Sequence, residues 1–124
     1  LKVAVAGDMG LPWSLPRLVG AARARELSFL CDKFNAEEAY RLGLVARVWD
    51  DEAFRDEVAK MIAFLAAQSP RALKTMKSHY LAAEDLGFKQ YLELETQDHM
   101  ALVTSDDFRE AARAFVEKRQ PVFK

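Results

Sequence analysis

The sequence predicts a mostly α-helical protein. From residue 50 almost to the end, apolar residues recur three or four positions apart, which is the spacing of one face of an α-helix. Residues that cap helices precede several of these stretches. Strand candidates are few, and we expect only two short strands, at Leu1–Val5 and at Leu44–Trp49.

Composition and charge exclude several classes of protein. The 124 residues are 51% hydrophobic and 30% charged, which is typical of one folded domain. The formal net charge of −1 gives no excess positive field, so we expect no nucleic-acid partner. No apolar run approaches the roughly 20 residues that span a bilayer, so we expect no membrane partner. The single cysteine, Cys31, excludes an internal disulfide and favours a reducing, cytoplasmic location.

The first predicted element is a short buried strand at Leu1–Val5. The chain opens on this strand without an initiator methionine. A strand needs neighbours that satisfy its backbone donors and acceptors, and the sequence offers few. We therefore expect its neighbours to lie on sequence outside these 124 residues.

Two short helices follow the strand. The segment from Asp8 to Gly20 predicts one short or kinked helix, because Pro12 suits a first turn whereas Pro16 lacks the donor for the carbonyl four residues back. Residues 21–30 predict a second helix.

The clearest local signal is a third short helix. Asn35 is a favourable N-cap, and Glu38, three residues later, could complete a capping box. Gly43 supplies the left-handed residue that ends such a helix.

Four further helices are predicted from Asp50 onwards. The second begins at a capping Ser69 followed by Pro70, and the third runs from about Leu86 to Val103. Thr104 and Asp107 are the candidate caps of the last helix, which Pro121 ends. The apolar residues of the four helices are Phe54, Val58, Met61, Ile62 and Leu65; Leu73, Met76, Tyr80 and Leu81; Phe88, Tyr91, Leu92, Leu94 and Leu102; Phe108, Ala111, Ala112, Phe115 and Val116.

These four helices would be only marginally stable by themselves. About 70 residues bury a small core, so the apolar stripes need further cover. We expect that cover to come from the earlier part of the protein or from another subunit.

Asp8 is the acidic residue with the most suggestive surroundings. It lies between Gly7 and Gly10, after the predicted strand and at the mouth of a helix. A carboxylate there could project into a cleft, where an apolar wall such as Trp13 would raise its pKa towards proton transfer. The alternative is a plain helix cap, which the local sequence alone favours because aspartate is common at helix starts.

Other candidate sites are weaker. Glu95 and His99 have the spacing of one helix face and could bind a metal, but two ligands without a third favour a surface polar pair. His79 stands alone, and Cys31 lacks a histidine in a recognisable arrangement, so a small buried residue is the default for it. We predict no metal site.

Several stretches, in this order, resemble a known family. They are Gly7-Asp8-Met9-Gly10, Leu15-Pro16-Arg17-Leu18-Val19-Gly20, Arg23-Ala24-Arg25-Glu26-Leu27, Asn35-Ala36-Glu37-Glu38-Ala39 with Arg41-Leu42-Gly43-Leu44-Val45, and the closing Ala114-Phe115-Val116-Glu117-Lys118-Arg119-Gln120-Pro121-Val122-Phe123. Together they resemble the carboxy-terminal half of the enoyl-CoA hydratase/isomerase (crotonase) superfamily.

The resemblance implies a specific fold. Residues 1–49 would be the last part of the ββα spiral core, and residues 50–124 would be the carboxy-terminal helical trimerisation region. The partners would be an acyl-CoA substrate and further copies of the chain in a homotrimer or hexamer. The family's two oxyanion-hole donors and the two glutamates of hydratases would lie upstream of residue 1, so this chain alone should not catalyse.

The resemblance also assigns residues to the site. Asp8 falls where isomerase-like members carry an acid, in a Pro-Asp-x-Gly pattern, that shuttles a proton on the acyl chain; here Gly7 replaces the proline. Trp13 would line the acyl pocket. Lys118 would reach the CoA nucleotide of a neighbouring subunit, and His99 would stack on the adenine. No cofactor is implied beyond the coenzyme A of the substrate.

Two functions follow from the sequence. The first is an acyl-CoA enzyme that acts through a thioester enolate, with double-bond isomerisation favoured over hydration because of Asp8. The alternative is a helical assembly module without activity of its own, which the helix-rich second half supports.

Overall fold

The structure is a computed structural model that describes residue 4 and residues 6–123. Seven α-helices are present in the described part: α1 Leu11–Val19, α2 Ala21–Leu30, α3 Ala36–Arg41, α4 Asp51–Ala66, α5 Pro70–Asp85, α6 Phe88–Val103 and α7 Asp106–Glu117. The mostly α-helical class is confirmed. The chain divides into two compact units, Leu1–Phe54 and Arg55–Lys124. The strand predicted at Leu1–Val5 lies outside the described residues, apart from Ala4.

The strand predicted at Leu44–Trp49 is wrong. Those residues form turns and irregular chain, and residue 4 and residues 6–123 contain no strand with which they could pair. The Leu44 amide instead donates to the Ala39 carbonyl at 2.9 Å, which folds the chain back on α3. Trp49 packs edge-on against Phe54, with ring centroids 6.1 Å apart. Trp49 thus has an aromatic neighbour, whereas Val45 and Val48 stay exposed.

Helices α1 and α2 confirm the predictions for residues 8–30. Gly10 begins α1 and Gly20 ends it, both with a positive φ that favours glycine. The Gly20 carbonyl then accepts the first hydrogen bond of α2, from the Ala24 amide at 3.0 Å. Leu15 of α1 and Ala24 of α2 are the buried residues of these two packed helices.

Helix α3 confirms the predicted cap. The Asn35 Oδ1 accepts a hydrogen bond from the Glu38 amide at 2.9 Å, and Gly43 turns the chain with a φ of 78°. The Glu38 carboxylate pairs with Arg41 instead of reaching back to close a capping box. This pair lowers the pKa of Glu38, chiefly through the hydrogen bond to Arg41.

The ends of α5, α6 and α7 follow the prediction only in part. Ser69 caps α5 as predicted, accepting the Ala72 amide at 3.1 Å. The cap of α7 is Ser105, so the prediction of Thr104 and Asp107 is wrong. Thr104 bonds back to carbonyls of the preceding turn, and Asp107 bonds to Ser69. Helix α6 begins at Phe88 after an N-cap glycine rather than at Leu86, and α7 ends at Glu117, before Pro121.

A buried histidine connects α5 and α6. His79 is 9% exposed, and its Nε2 lies 2.9 Å from Asp98 Oδ2. The edge of the Tyr91 ring packs against the imidazole, with centroids 5.9 Å apart. The sequence showed no partner for His79. In the structure, its side chain makes a polar contact between α5 and α6.

Apolar burial within the chain is small. Among the described residues, the buried apolar side chains are Leu15, Ala24 and Ala114. Many large apolar side chains stay exposed, among them Phe29, Ile62, Phe64, Tyr80, Phe88, Met100, Phe115 and Val116. Amphipathic helices normally bury such a face, so these surfaces need cover that the described residues do not supply. In the described part, no helix is both long and apolar enough to cross a membrane.

The Ser69 cap gives a test of the local structure. Ser69→Ala should lower the free energy of unfolding by about 1–2 kcal/mol, because both the cap of α5 and the bond to Asp107 are lost. Urea unfolding followed by circular dichroism measures the change. Ser78→Ala, at an exposed position within α5, is the matched control and should have an effect close to zero. Equal losses in the two variants would contradict the role of the cap.

Candidate functional site

Asp8 lies in a tight turn that leads into α1. Met9 and Gly10 both have positive φ, and the Leu11 amide donates to the Asp8 carbonyl at 2.9 Å. Helix α1 has no side-chain cap, so the alternative of Asp8 as a plain helix cap is wrong. The Asp8 side chain is exposed and makes no hydrogen bond or ion pair with any described residue. The carboxylate is therefore unpaired within the described residues.

Trp13 lies on the first turn of α1 and is 54% exposed. The Arg17 guanidinium lies over the indole, 3.6 Å from its centroid, and Arg17 Nη1 donates to the Trp13 carbonyl at 2.6 Å. This cation–π contact covers one face of the ring and restricts its orientation. Along the chain, Asp8 precedes the beginning of α1 and Trp13 follows it.

His99 lines an open groove of about 430 Å³ between α5 and α6. His79, Glu95 and Thr96 line the same groove, with Thr75, Met76 and Leu102 among its other lining residues. Glu95 and His99 do share a helix face, as their spacing predicts. The part of the chain that the structure describes contains no group of three or more ligands suited to a metal ion.

Glu95 also has a partner in α6. It accepts a hydrogen bond from the Tyr91 hydroxyl at 3.1 Å. Burial, followed by this contact with a carboxylate, raises the pKa of Tyr91. The groove beside His99 is therefore lined by hydrogen-bonded polar groups as well as by apolar side chains.

Lys118 ends α7 in a left-handed conformation, with a φ of 54°. Its amide donates to the Phe115 carbonyl at 3.2 Å, and the Arg119 amide donates to the Ala114 carbonyl at 3.0 Å. Glycine is the usual residue at this place in a helix ending. A lysine there must be held by its surroundings.

Glu110 and Arg119 form a contact that the sequence analysis missed. Arg119 Nη1 and Nη2 donate to the two Glu110 oxygens at 2.6 and 3.1 Å, and the Val122 amide donates to Glu110 Oε1 at 3.0 Å. Arg119 also donates to Glu117 Oε2 at 2.6 Å. We name Glu110, Arg119 and the Val122 amide the C-terminal clamp. Arg119 and Val122 are nine and twelve residues from Glu110 in the sequence, so no helical spacing could reveal these contacts.

The contacts of the clamp shift the pKa values of Glu110 and Arg119. The Glu110 side chain is 20% exposed. The hydrogen bonds from Arg119 and from the Val122 amide hold the pKa of Glu110 at about 2, below its ordinary value of 4.5, and the nearby charges of Arg119 and Arg113 act in the same direction. Arg119 has its pKa raised by Glu110 and Glu117. Glu110 and Arg119 are therefore both charged at neutral pH.

The four predicted site residues fall in different parts of the chain. Asp8 and Trp13 belong to the unit Leu1–Phe54, whereas His99 and Lys118 belong to the unit Arg55–Lys124. Within the second unit, Lys118 does not line the groove that contains His99. The structure thus brings Asp8 and Trp13 to one helix end and leaves His99 and Lys118 as separate positions.

Comparison with known proteins gives consistent matches along the whole chain. Residues 1–124 match the family described as Enoyl-CoA hydratase/isomerase. The 1,2-epoxyphenylacetyl-CoA isomerase of Escherichia coli K12 is 34% identical over 98% of this chain and 47% of its own length. A probable enoyl-CoA hydratase of Rhodobacter capsulatus is 35% identical over 98% of this chain and 48% of its own length.

Solved structures show the same relation. An enoyl-CoA hydratase from Bacillus anthracis superposes with a TM-score of 0.93 at 28% identity, covering 99% of this chain and 48% of that one. The chain therefore spans about half the length of the proteins that it matches. Its helices are those of the carboxy-terminal part of the crotonase fold.

The depressed pKa of Glu110 predicts how stability depends on pH. Its contribution to the free energy of unfolding is fully present above about pH 4.5 and is lost as pH falls through about 2. Glu110→Gln should remove this part of the acid-induced loss, so its stability should fall less steeply. Urea midpoints measured from about pH 6 to about pH 2 give the comparison. Arg119→Met removes the main cause of the shift and should flatten the same interval; an unchanged slope in both variants would contradict the assignment.

Proposed function

Since the chain belongs to the enoyl-CoA hydratase/isomerase family, we propose that the protein acts on an acyl-CoA thioester through an enolate, with double-bond isomerisation favoured over hydration. The observation that supports isomerisation is the Asp8 carboxylate, which is exposed beside α1 and does not cap it. The relatives include proteins named as isomerases and as a hydratase, so they do not decide between the reactions.

Asp8 would move one proton. As a carboxylate, it takes a proton from the carbon next to the thioester carbonyl of a β,γ-unsaturated substrate, and the electron pair of the broken C–H bond delocalises onto the carbonyl oxygen. The resulting carboxylic acid returns the proton to the γ-carbon, which moves the double bond into conjugation. Atoms and charge balance without another reactant, and hydrogen-bond donors must stabilise the enolate oxygen.

Trp13 would form a wall of the acyl pocket. The indole is half exposed, and Arg17 holds one of its faces, so the other face is left for an apolar chain. The exposed indole and the family membership support this role.

Lys118 would reach the nucleotide part of the coenzyme A in a neighbouring subunit. The Lys118 side chain is exposed and makes no ion pair with any residue from 6 to 123, so it can meet a phosphate. His99 would stack on the adenine. We propose no cofactor beyond the coenzyme A of the substrate, and we expect residues 1–124 alone to be inactive. The cytoplasmic location remains a prediction.

The role of Asp8 is tested in the full-length protein. Asp8→Asn should lower kcat for isomerisation by about a hundredfold or more, because a general base contributes that much. Hydration, assayed in parallel, should fall far less. Asp32→Asn, an exposed acid in the same unit, is the matched control. Unchanged isomerisation in Asp8→Asn would remove Asp8 from the mechanism.

A second role, assembly of copies of the chain, is favoured by a separate observation. Three apolar side chains are buried among the described residues, whereas Phe88, Phe115 and Val116 are each more than three-quarters exposed. Helical faces of this kind are commonly buried between subunits. We propose that the unit Arg55–Lys124 carries the contacts of a homotrimer or hexamer, with or without activity.

Substitutions at Phe88 and Lys89 test the proposed assembly. Phe88→Asp should weaken association at least about tenfold, because a charge replaces an apolar side chain that would be buried in the assembly. Sedimentation velocity over a range of concentrations measures the effect. Lys89→Asp is the matched control: both positions lie in the first turn of α6, where an acid suits the helix dipole. A strictly monomeric parent chain would count against the proposal.

A further inference from the structure

Lys118 has a backbone conformation that its own side chain disfavours. It is one of four non-glycine residues with positive φ among the described residues. The two backbone bonds that end α7, to Phe115 and Ala114, would form equally well around a glycine. The left-handed turn therefore sets the direction in which the Lys118 side chain leaves the helix. The surrounding structure must hold the Lys118 backbone in this conformation.

The C-terminal clamp supplies the restraint. Glu110 accepts two hydrogen bonds from Arg119, the residue directly after Lys118, and one from the Val122 amide. Arg119 also donates to the Gln120 carbonyl at 3.0 Å. The segment that follows Lys118 is thus attached to the middle of α7 by one carboxylate. Glu117, in contrast, contacts only the Arg119 side chain, two residues away.

We propose that Glu110 is a positioning residue that, through Arg119 and the Val122 amide, fixes the orientation of Lys118 towards the phosphate groups of the substrate's nucleotide. This inference rests on the proposed function, in which Lys118 binds that nucleotide. Glu110 itself touches no substrate. Its effect is to restrict the conformations of Lys118 before binding, so that less freedom is lost on binding.

A purely electrostatic role of Glu110 predicts the opposite result. Removal of a negative charge near Lys118 would make the surface more positive and would favour a phosphate. Loss of orientation disfavours the same phosphate, because the lysine then has to be ordered on binding. The sign of the change in KM therefore distinguishes positioning from simple charge.

The experiment uses the full-length protein and two substrates. One is the acyl-CoA thioester, and the other is the corresponding acyl-pantetheine thioester, which lacks the nucleotide. Glu110→Gln should raise KM for the CoA thioester about threefold to fivefold and leave kcat within about twofold, the range expected for one partly exposed ion pair. The kinetic constants for the pantetheine thioester should not change, which also shows that the variant is folded.

Lys118→Met separates this inference from the proposed function. It should raise KM for the CoA thioester alone, about tenfold, by loss of a charged hydrogen bond. If it leaves that KM unchanged, the nucleotide role of Lys118 fails. If it acts as expected while Glu110→Gln lowers KM or leaves it unchanged, only the positioning role fails.

The double variant completes the test. Glu110→Gln combined with Lys118→Met should be no worse than Lys118→Met, because Glu110 acts only through Lys118. Full additivity would overturn the proposal. Glu57→Gln, which breaks the exposed pair with Lys60 on α4, is the matched control and should leave both KM values unchanged.

Discussion

The burial of apolar helix faces is the constraint on which this structure depends. The described residues bury Leu15, Ala24 and Ala114, while most large apolar side chains of α4–α7 stay exposed. Helices of 6–16 residues are marginal in water without packing, so caps and local hydrogen bonds cannot by themselves account for a stable protein. The contact of His79 with Asp98 adds one polar connection between α5 and α6, which does not replace a core. Stability therefore has to come from surfaces that cover these faces.

The candidate site residues are placed by a different kind of interaction. Asp8 precedes two residues with positive φ, and Lys118 has a positive φ itself. Both lie at helix ends, where backbone hydrogen bonds and neighbouring side chains fix the chain locally. Local hydrogen bonding thus fixes the backbone around Asp8 and Lys118, whereas the exposed apolar helix faces need cover from elsewhere.

The same division explains what could be predicted from the sequence. Helices α1 and α2 and the caps at Asn35 and Ser69 depend on residues a few positions apart, and they were predicted correctly. The strand at Leu44–Trp49 was wrong because a strand needs a partner that local pattern cannot show. The Glu110–Arg119 contact was missed for a similar reason, since nine residues separate its members. Asp8 stood out by its flanking glycines. The basic Lys118-Arg119 pair could meet a phosphate but equally fits a solvated helix end, so Lys118 acquired a specific role only through the family resemblance.

In the proposed function, recognition and chemistry belong to different residues. In the proposal, Asp8 and Trp13 act on the acyl end of the thioester, and both lie in the unit Leu1–Phe54. Lys118 and His99 act on the nucleotide, and both lie in the unit Arg55–Lys124, which also carries the exposed faces proposed for assembly. Binding energy from a remote nucleotide raises the rate only if it helps to position the reacting carbon. A clamp that orders Lys118 before binding is one way to make that energy available, because less of it is then lost in ordering the protein.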